Sequence, residues 1–170
     1  SLFGEVKTTA KIDVESTVRK KIAELGYVNK AWGFWDKSQF SNYLHQQSPE
    51  IAQGVDKDGA GDQGMMFGYA CTETLELMPL PIALAHAITR RIDEVRKNGT
   101  LKWLRPDGKA QVTIRYEDNT PVAVEKLVAA VAHDEDITVK RVRNDVIEYI
   151  FIPVLTAYNM VLPNNENITV

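Results

Sequence analysis

The stretch Gly59-Ala60-Gly61-Asp62-Gln63-Gly64-Met65-Met66-Phe67-Gly68-Tyr69 decides how the chain is read. Closely spaced glycines let the backbone adopt positive φ and approach a ligand, and Asp62 places a carboxylate among them, so the loop suits a polar small molecule. The bland alternative is a glycine-rich turn that starts a strand over residues 65–71. A dinucleotide fingerprint would follow a buried strand and open a helix. Here the polar run Gln53-Gly54-Val55-Asp56-Lys57-Asp58 precedes, so a Rossmann cofactor does not fit. A kinase glycine loop fails as well, because no catalytic-loop or metal-binding Asp signature follows.

Working outward, the segments on either side are framed by composition. The 170 residues suit one ordinary domain or two small ones, and 44% hydrophobic with 25% charged content is a foldable mixture. A net charge of -3 provides no general basic field for nucleic acid. Neither a long apolar span nor a signal-peptide pattern occurs, so no membrane partner is expected and a cytoplasmic location is. The single Cys71 excludes an internal disulfide framework and reads as a buried thiol in a strand.

Upstream of the glycine loop, residues 3–10 alternate as a strand does, and Asp13 stands at a helix N-cap. Val14, Val18, Ile22 and Leu25 form one helical stripe that Gly26 ends. Trp32, Phe34 and Trp35 are candidate anchors of the following loop. Residues 38–47 are expected to return as a strand, although they are unusually polar. Ser48-Pro49 reads as its break, and residues 50–58 as a mobile connection between two sub-units.

Downstream, Pro79 and Pro81 open the longest helix, with Leu80, Leu84, Ile88 and Ile92 recurring every fourth residue until Asn98-Gly99. His86 within it reads as packed or solvated. Trp103-Leu104-Arg105-Pro106-Asp107-Gly108-Lys109 reads as a Pro-Asp-Gly turn with cations on both sides, and Lys109 by itself as a solvated turn lysine. A hairpin pairs residues 111–116 with 122–133 through Asp118-Asn119-Thr120-Pro121. His133-Asp134-Glu135-Asp136 caps a helix or faces water in preference to holding a metal. The last helix starts near Thr138, turns Val139, Val142, Val146 and Ile150 inward and stops at Pro153, and a strand fragment ends the chain. Lys140-Arg141-Val142-Arg143 reads as its wet face and not as a nucleic-acid site. The fold class is α+β, with mixed sheets carrying helices on one face and a weak strand-helix-strand echo between the halves.

Several segments together resemble S-adenosylmethionine synthetase, also called methionine adenosyltransferase. Gly59-Ala60-Gly61-Asp62-Gln63-Gly64-Met65-Met66-Phe67-Gly68-Tyr69 looks like that family's signature. Gln47-Ser48-Pro49-Glu50-Ile51-Ala52-Gln53-Gly54-Val55-Asp56 is similar to its gating loop. Glu76-Leu77-Met78-Pro79-Leu80-Pro81-Ile82, Arg96-Lys97-Asn98-Gly99-Thr100-Leu101 and residues 103–109 follow in the family's order. The likeness is densest over residues 47–112.

The resemblance implies repeated βαβ units, with residues 1–55 closing the first domain and residues 56–170 forming the central one. It implies synthesis of S-adenosylmethionine from ATP and L-methionine, with release of phosphate and pyrophosphate. Asp62 would contact the methionine ammonium, Gln53 would close over both substrates, and Asp107, Gly108 and Lys109 would contact ATP. Lys109 and Asp62 are the candidate catalytic pair. The family uses Mg²⁺ and K⁺, but its Gly-His-Pro-Asp-Lys segment and Gly-Gly-Gly phosphate loop do not occur in these residues. The segment between Asp56 and Gly59 is also shorter than the usual gating loop, and residues 38–43 replace a strongly apolar strand. The chain therefore reads as the middle of the enzyme, inactive in isolation, or alternatively as a trimmed or redesigned scaffold on the same fold. Family members form homodimers or tetramers, and the polar strand implies weaker self-association here.

Overall fold

The computed structural model describes residues 1–55, 59 and 64–170, with the side chains of Ile51 and Val55 outside that description. The chain divides into two units, Ser1–Phe67 and Gly68–Val170.

In the first unit, β1 (Leu2–Val6) and β2 (Asn42–Gln46) pair in parallel, with Phe3 opposite Tyr43, and α1 (Val14–Glu24) lies between them in sequence. The Asp13 carboxylate accepts a hydrogen bond from the Ser16 N–H at 3.1 Å, satisfying one of the orphan donors at the helix start. Gly26, at φ 96°, follows the end of α1 in a conformation that a side chain would oppose. Arg19 joins α1 to the return segment: it pairs with Glu15 and donates to the Asp36 and Ser38 carbonyls at 2.7 and 3.0 Å. The return strand is shorter than expected. Residues 38–40 stay outside the ladder, Ser41 joins it only through its carbonyl, which accepts the Leu2 N–H at 2.8 Å, and Arg19 takes up two of the carbonyls around them. Ser48-Pro49 follows the end of β2, as a break should, and also begins α2 (Pro49–Val55), where a connection was expected. Proline suits a first helical turn because it lacks the N–H that would be an orphan there, and Glu50 complements the helix dipole.

The second unit centres on α3 (Leu80–Lys97) and the long hairpin of β3 (Leu104–Glu117) and β4 (Thr120–His133). Asp118 and Asn119 sit at φ 48° and 62°, the positive values that a tight two-residue hairpin turn demands at both central positions. Beyond β4 come α4 (Val139–Val146), a π-helical turn (Ile147–Phe151), α5 (Ile152–Ala157) and β5 (Ile168–Thr169). β5 pairs in parallel with β4, giving sheet order β3-β4-β5. A parallel strand-helix-strand passage thus occurs in each unit, in the second from β4 through α4 and α5 to β5. The α+β arrangement expected from the sequence is the observed one.

Apolar periodicity explains the core. Leu80, Leu84, Ile88, Ile92 and Val95 of α3 pack with Leu104, Val124, Leu127 and Ala129 of the sheet and with Val142, Val146, Ile150, Phe151, Val154 and Leu155. Each fully buried Leu, Ile or Phe contributes about 1.5–3 kcal/mol relative to exposure. Val139, expected to point inward, is exposed, because the helix starts with it and the buried stripe begins at Val142.

Three further expectations are corrected. Residues 65–71 form no strand: Met65, Met66 and Phe67 are 80%, 95% and 89% exposed, and β-propensity without a neighbouring strand leaves no ladder to join. Cys71 accordingly sits half-buried in a loop, its N–H donating to the Leu77 carbonyl at 3.1 Å. Pro153 does not stop the last helix. Its ring opposes the carbonyl four residues back, that of Tyr149, and the π-helical turn there opens the ladder. Arg91 of α3 donates to that same Tyr149 carbonyl at 3.0 Å, so the group displaced from the helix is satisfied from the neighbouring one.

Candidate functional site

The Pro106-Asp107-Gly108 sequence was expected to make a turn, but it lies inside β3 as a bulge. From Leu104 to Gly108 the strand advances four residues while β4 advances two, between His133 and Val131, so two residues on β3 have no opposite number. Pairing resumes with Gly108 opposite Val131 and Lys109 opposite Ala130. The turn chemistry is real, but cross-strand pairing on both sides absorbs it into the sheet.

Each residue of the bulge is set by a separate constraint. Leu104 and Pro106 are buried, which keeps the start of β3 against the core, and Pro106 has no N–H to waste in the unpaired stretch. Asp107 is exposed at φ 99°, beyond the left-handed values at which Asp rests comfortably, and such a conformation costs on the order of 1–3 kcal/mol. Gly108 faces α3. A Cβ there would lie 3.2 Å from both Cδ1 and Cγ2 of Ile92. Lys109 is exposed on the opposite side of the strand, and among the described residues it makes no ion pair. The bulge therefore presents a carboxylate and an ammonium close together in sequence on a rigid element, a pairing suited to a ligand carrying both donors and anionic oxygens.

The base of the bulge is held by polar contacts. Arg105 donates to Asp134 at 2.9 Å, and the Asp134 N–H donates to the Trp103 carbonyl at 3.0 Å. The Trp103 indole N–H donates to Asp145 at 3.0 Å, and Arg141 reaches the same buried carboxylate at 2.7 and 2.8 Å. Asp145 is 4% exposed, and burying it is sustainable because indole and guanidinium both serve it. The Arg141–Asp145 contact could have been found from its four-residue spacing; the indole contact, 42 residues away, could not. Of the His133-Asp134-Glu135-Asp136 run, Asp134 serves Arg105 and the His133 ring lies edge-on to Trp103, with centroids 6.5 Å apart. Thr138, not an acid, caps α4.

A second feature, missed in the sequence, is the loop before α3. The Glu73 carboxylate accepts from the Leu80 N–H at 2.9 Å and from the Tyr116 hydroxyl at 2.6 Å, and Tyr158 donates to Glu76 at 2.7 Å. The Leu80 N–H and then Tyr116 hold the Glu73 carboxyl below its ordinary value. Burial, then Glu73, pushes Tyr116 up to about 12. Two phenol–carboxylate bonds thus strap residues 73–76 to the hairpin and to α5's end.

Of the predicted site residues, Asp107, Gly108 and Lys109 are brought together on β3. Gln53 is exposed on α2, within what was expected to be a mobile connection and is helical to Val55. Asp62 and the centre of the glycine loop lie outside the described residues. His86 is exposed on α3. Among the described residues no three His, Cys, Asp or Glu side chains gather around a common point, and one carboxylate beside a lysine is a donor set that does not fit a divalent cation.

A family model described as S-adenosylmethionine synthetase, central domain, matches residues 57–170. Among curated relatives, the S-adenosylmethionine synthase of Sulfurovum sp. (strain NBC37-1) is 48% identical over 164 residues, covering 94% of this chain and 42% of that protein. The S-adenosylmethionine synthase of Wolinella succinogenes is 48% identical over 159 residues, covering 91% of this chain and 41% of that protein. The chain spans well under half the length of these curated relatives.

Proposed function

Since the chain belongs to the S-adenosylmethionine synthetase family, we propose that it carries the nucleotide-contacting part of a catalyst that makes S-adenosylmethionine from ATP and L-methionine. In this reading, residues 1–55 close an N-terminal domain and residues 56–170 form the central one. The methionine sulfur forms the bond to ribose C5′ as the C5′–O5′ bond breaks, and the electron pair leaves with triphosphate. Thioether sulfur is already nucleophilic, so the protein's task is alignment and charge stabilisation, with no general base.

The observation that carries the reading is the β3 bulge, which exposes Asp107 and Lys109 on either side of a core-facing Gly108. Lys109 meets phosphate oxygen as a point-like cation, and Asp107 accepts hydrogen bonds from the nucleoside. Asp62 holds the methionine ammonium, and Gln53 closes over both substrates. Mg²⁺ and K⁺ serve the family reaction, yet the described residues do not fit a protein-held divalent ion. We further place the protein in the cytoplasm, with weaker self-association than homodimeric or tetrameric family members. No helix among the described residues is long and apolar enough to cross a membrane.

A second reading, a non-catalytic scaffold or interaction module on the same fold, is favoured by one observation: among the described residues of Ser1–Phe67 no side chain is buried. The two readings separate in a titration of the chain with ATP. The first expects binding that Lys109→Ala weakens about 10- to 100-fold, the worth of one hydrogen bond to a charged group. A chain that shows no ATP binding at all supports the scaffold. With ATP, methionine, magnesium and potassium, the chain alone is expected to give no turnover, and S-adenosylmethionine in that assay would show the isolated chain to be a complete catalyst.

A further inference from the structure

We infer that Ile92 on α3 and Gly108 on β3 form a positioning pair that holds Asp107 in its left-handed conformation and so sets the direction in which Asp107 and Lys109 leave the strand. The inference rests on the nucleotide reading above and adds to it the part of the molecule that aims the site.

Three observations converge. Gly108 is not among the positive-φ glycines, so its backbone would accept a side chain; what opposes one is space, because Ile92 Cδ1 and Cγ2 both lie 3.2 Å from where a Cβ would stand and would have to give by a few tenths of an ångström. Ile92 is itself 4% exposed, in the middle of the buried stripe of α3, and has little room to retreat. Asp107, immediately before this close approach, carries the strained backbone at φ 99°. Pro106 on its other side is buried. The chain between two points pinned to the core has two residues too many for the ladder, and Asp107 takes the distortion. A residue held in such a conformation by its surroundings is the mark of a site whose geometry matters more than its local stability.

The experiment uses the 170-residue chain, ATP as probe, and melting temperature as a second readout. Gly108→Ala adds a methyl group where Ile92 stands and is expected to lower ATP affinity about tenfold, as a small displacement of a positioned group does. Ile92→Ala removes Cδ1 and Cγ2 together and in the double variant is expected to return affinity to within about twofold of the parent. Asp107→Gly is expected to raise the melting temperature while weakening ATP binding. Asp107→Asn, which tolerates the same backbone nearly as well as Asp, should weaken binding with little thermal gain. Wild-type affinity in Gly108→Ala, or no rescue by Ile92→Ala, overturns the positioning role. Should the parent chain bind no ATP, the nucleotide reading fails on its own, and the pair is judged thermally. The stabilisation by Asp107→Gly must then shrink in an Ile92→Ala background, and an equal gain in both backgrounds overturns the inference.

Discussion

The two units contain the same passage, strand, helix and parallel strand, yet among the described residues only one of them has an interior. In Gly68–Val170 the passage from β4 to β5 is one layer of a larger object: β3 extends the sheet, α3 covers it, and Leu127 at the centre of β4 is 0% exposed. In Ser1–Phe67 no further strand joins it among the described residues, and only the short α2 follows β2. Its helix stripe of Val14, Val18 and Ile22 is half-buried and Leu25 is 44% exposed, while Phe3 and Tyr43, paired across β1 and β2, are 78% and 64% exposed. A two-stranded sheet with a single helix removes too little apolar surface from water to offset the entropy of ordering it. The difference shows that a supersecondary motif acquires stability from the layers placed on it, and among the described residues these layers are present in Gly68–Val170 only.

Truncating one buried and one exposed aromatic tests that difference most directly. Phe151 is 0% exposed between the sheet and the helices, and Phe151→Ala is expected to cost about 3–5 kcal/mol in chemical denaturation. Phe3→Ala, at a side chain 78% exposed, should stay within about 0.5 kcal/mol. Comparable losses at the two positions would mean that the first unit has an interior after all, formed with a second copy. Amide exchange resolved by residue should agree, with slow exchange in α3 and β4 and fast exchange in α1 and β1.

A smaller effect is expected where the second unit repairs its own irregularity. Arg91→Ala leaves the Tyr149 carbonyl, already displaced by Pro153, without its guanidinium donor, and should cost about 1–2 kcal/mol. Arg91 also pairs with Glu94 at 2.9 Å, but that carboxylate side is 59% exposed, so Glu94→Ala should be nearly neutral. If both variants lose equally, the ion pair and not the carbonyl contact is what binds α3 to the π-helical turn.

These contrasts also mark how far the sequence could be read. The α3 stripe, the Asp13 cap and the Asp118-Asn119 turn were legible because each depends on neighbours within a few residues, and local spacing carries that information. The segment 65–71 was misread as a strand because its apolar residues satisfy β-propensity while the partner strand that a ladder requires is a non-local fact. Pro153 and Pro106-Asp107-Gly108 were misread for a related reason. Both carry true breaker chemistry, which a contact from far along the chain, Arg91 in one case and β4 in the other, converts into an irregularity within a continuing element. The site residues Asp107 and Lys109 were named by resemblance and by charge, but the close approach of Ile92 to Gly108 lies across two elements and has no local signature.

The least costly feature to perturb is the strap before α3, where pH can replace mutation. The Glu73 carboxyl is held below its ordinary value of 4.5 by the Leu80 N–H and Tyr116, so its contribution is complete above about that pH and is lost as pH falls through the lowered value. Tyr116 is raised from 10.0 to about 12 by burial and by Glu73, so its contribution is complete below about pH 10 and fades as pH rises toward 12. Stability of the second unit should therefore decline at both extremes with the strap loosened at each. Tyr116→Phe removes Tyr116's part of the alkaline step, leaving that of Tyr158, which burial and Glu76 also raise, and should cost on the order of 1 kcal/mol or less at neutral pH, because the bond lies near solvent. In that variant the acid step should shrink but persist, since the Leu80 N–H, the larger influence on Glu73, is still in place. An acid step that vanishes with the phenol would mean that Tyr116, and not the first amide of α3, is what holds the carboxylate ionised.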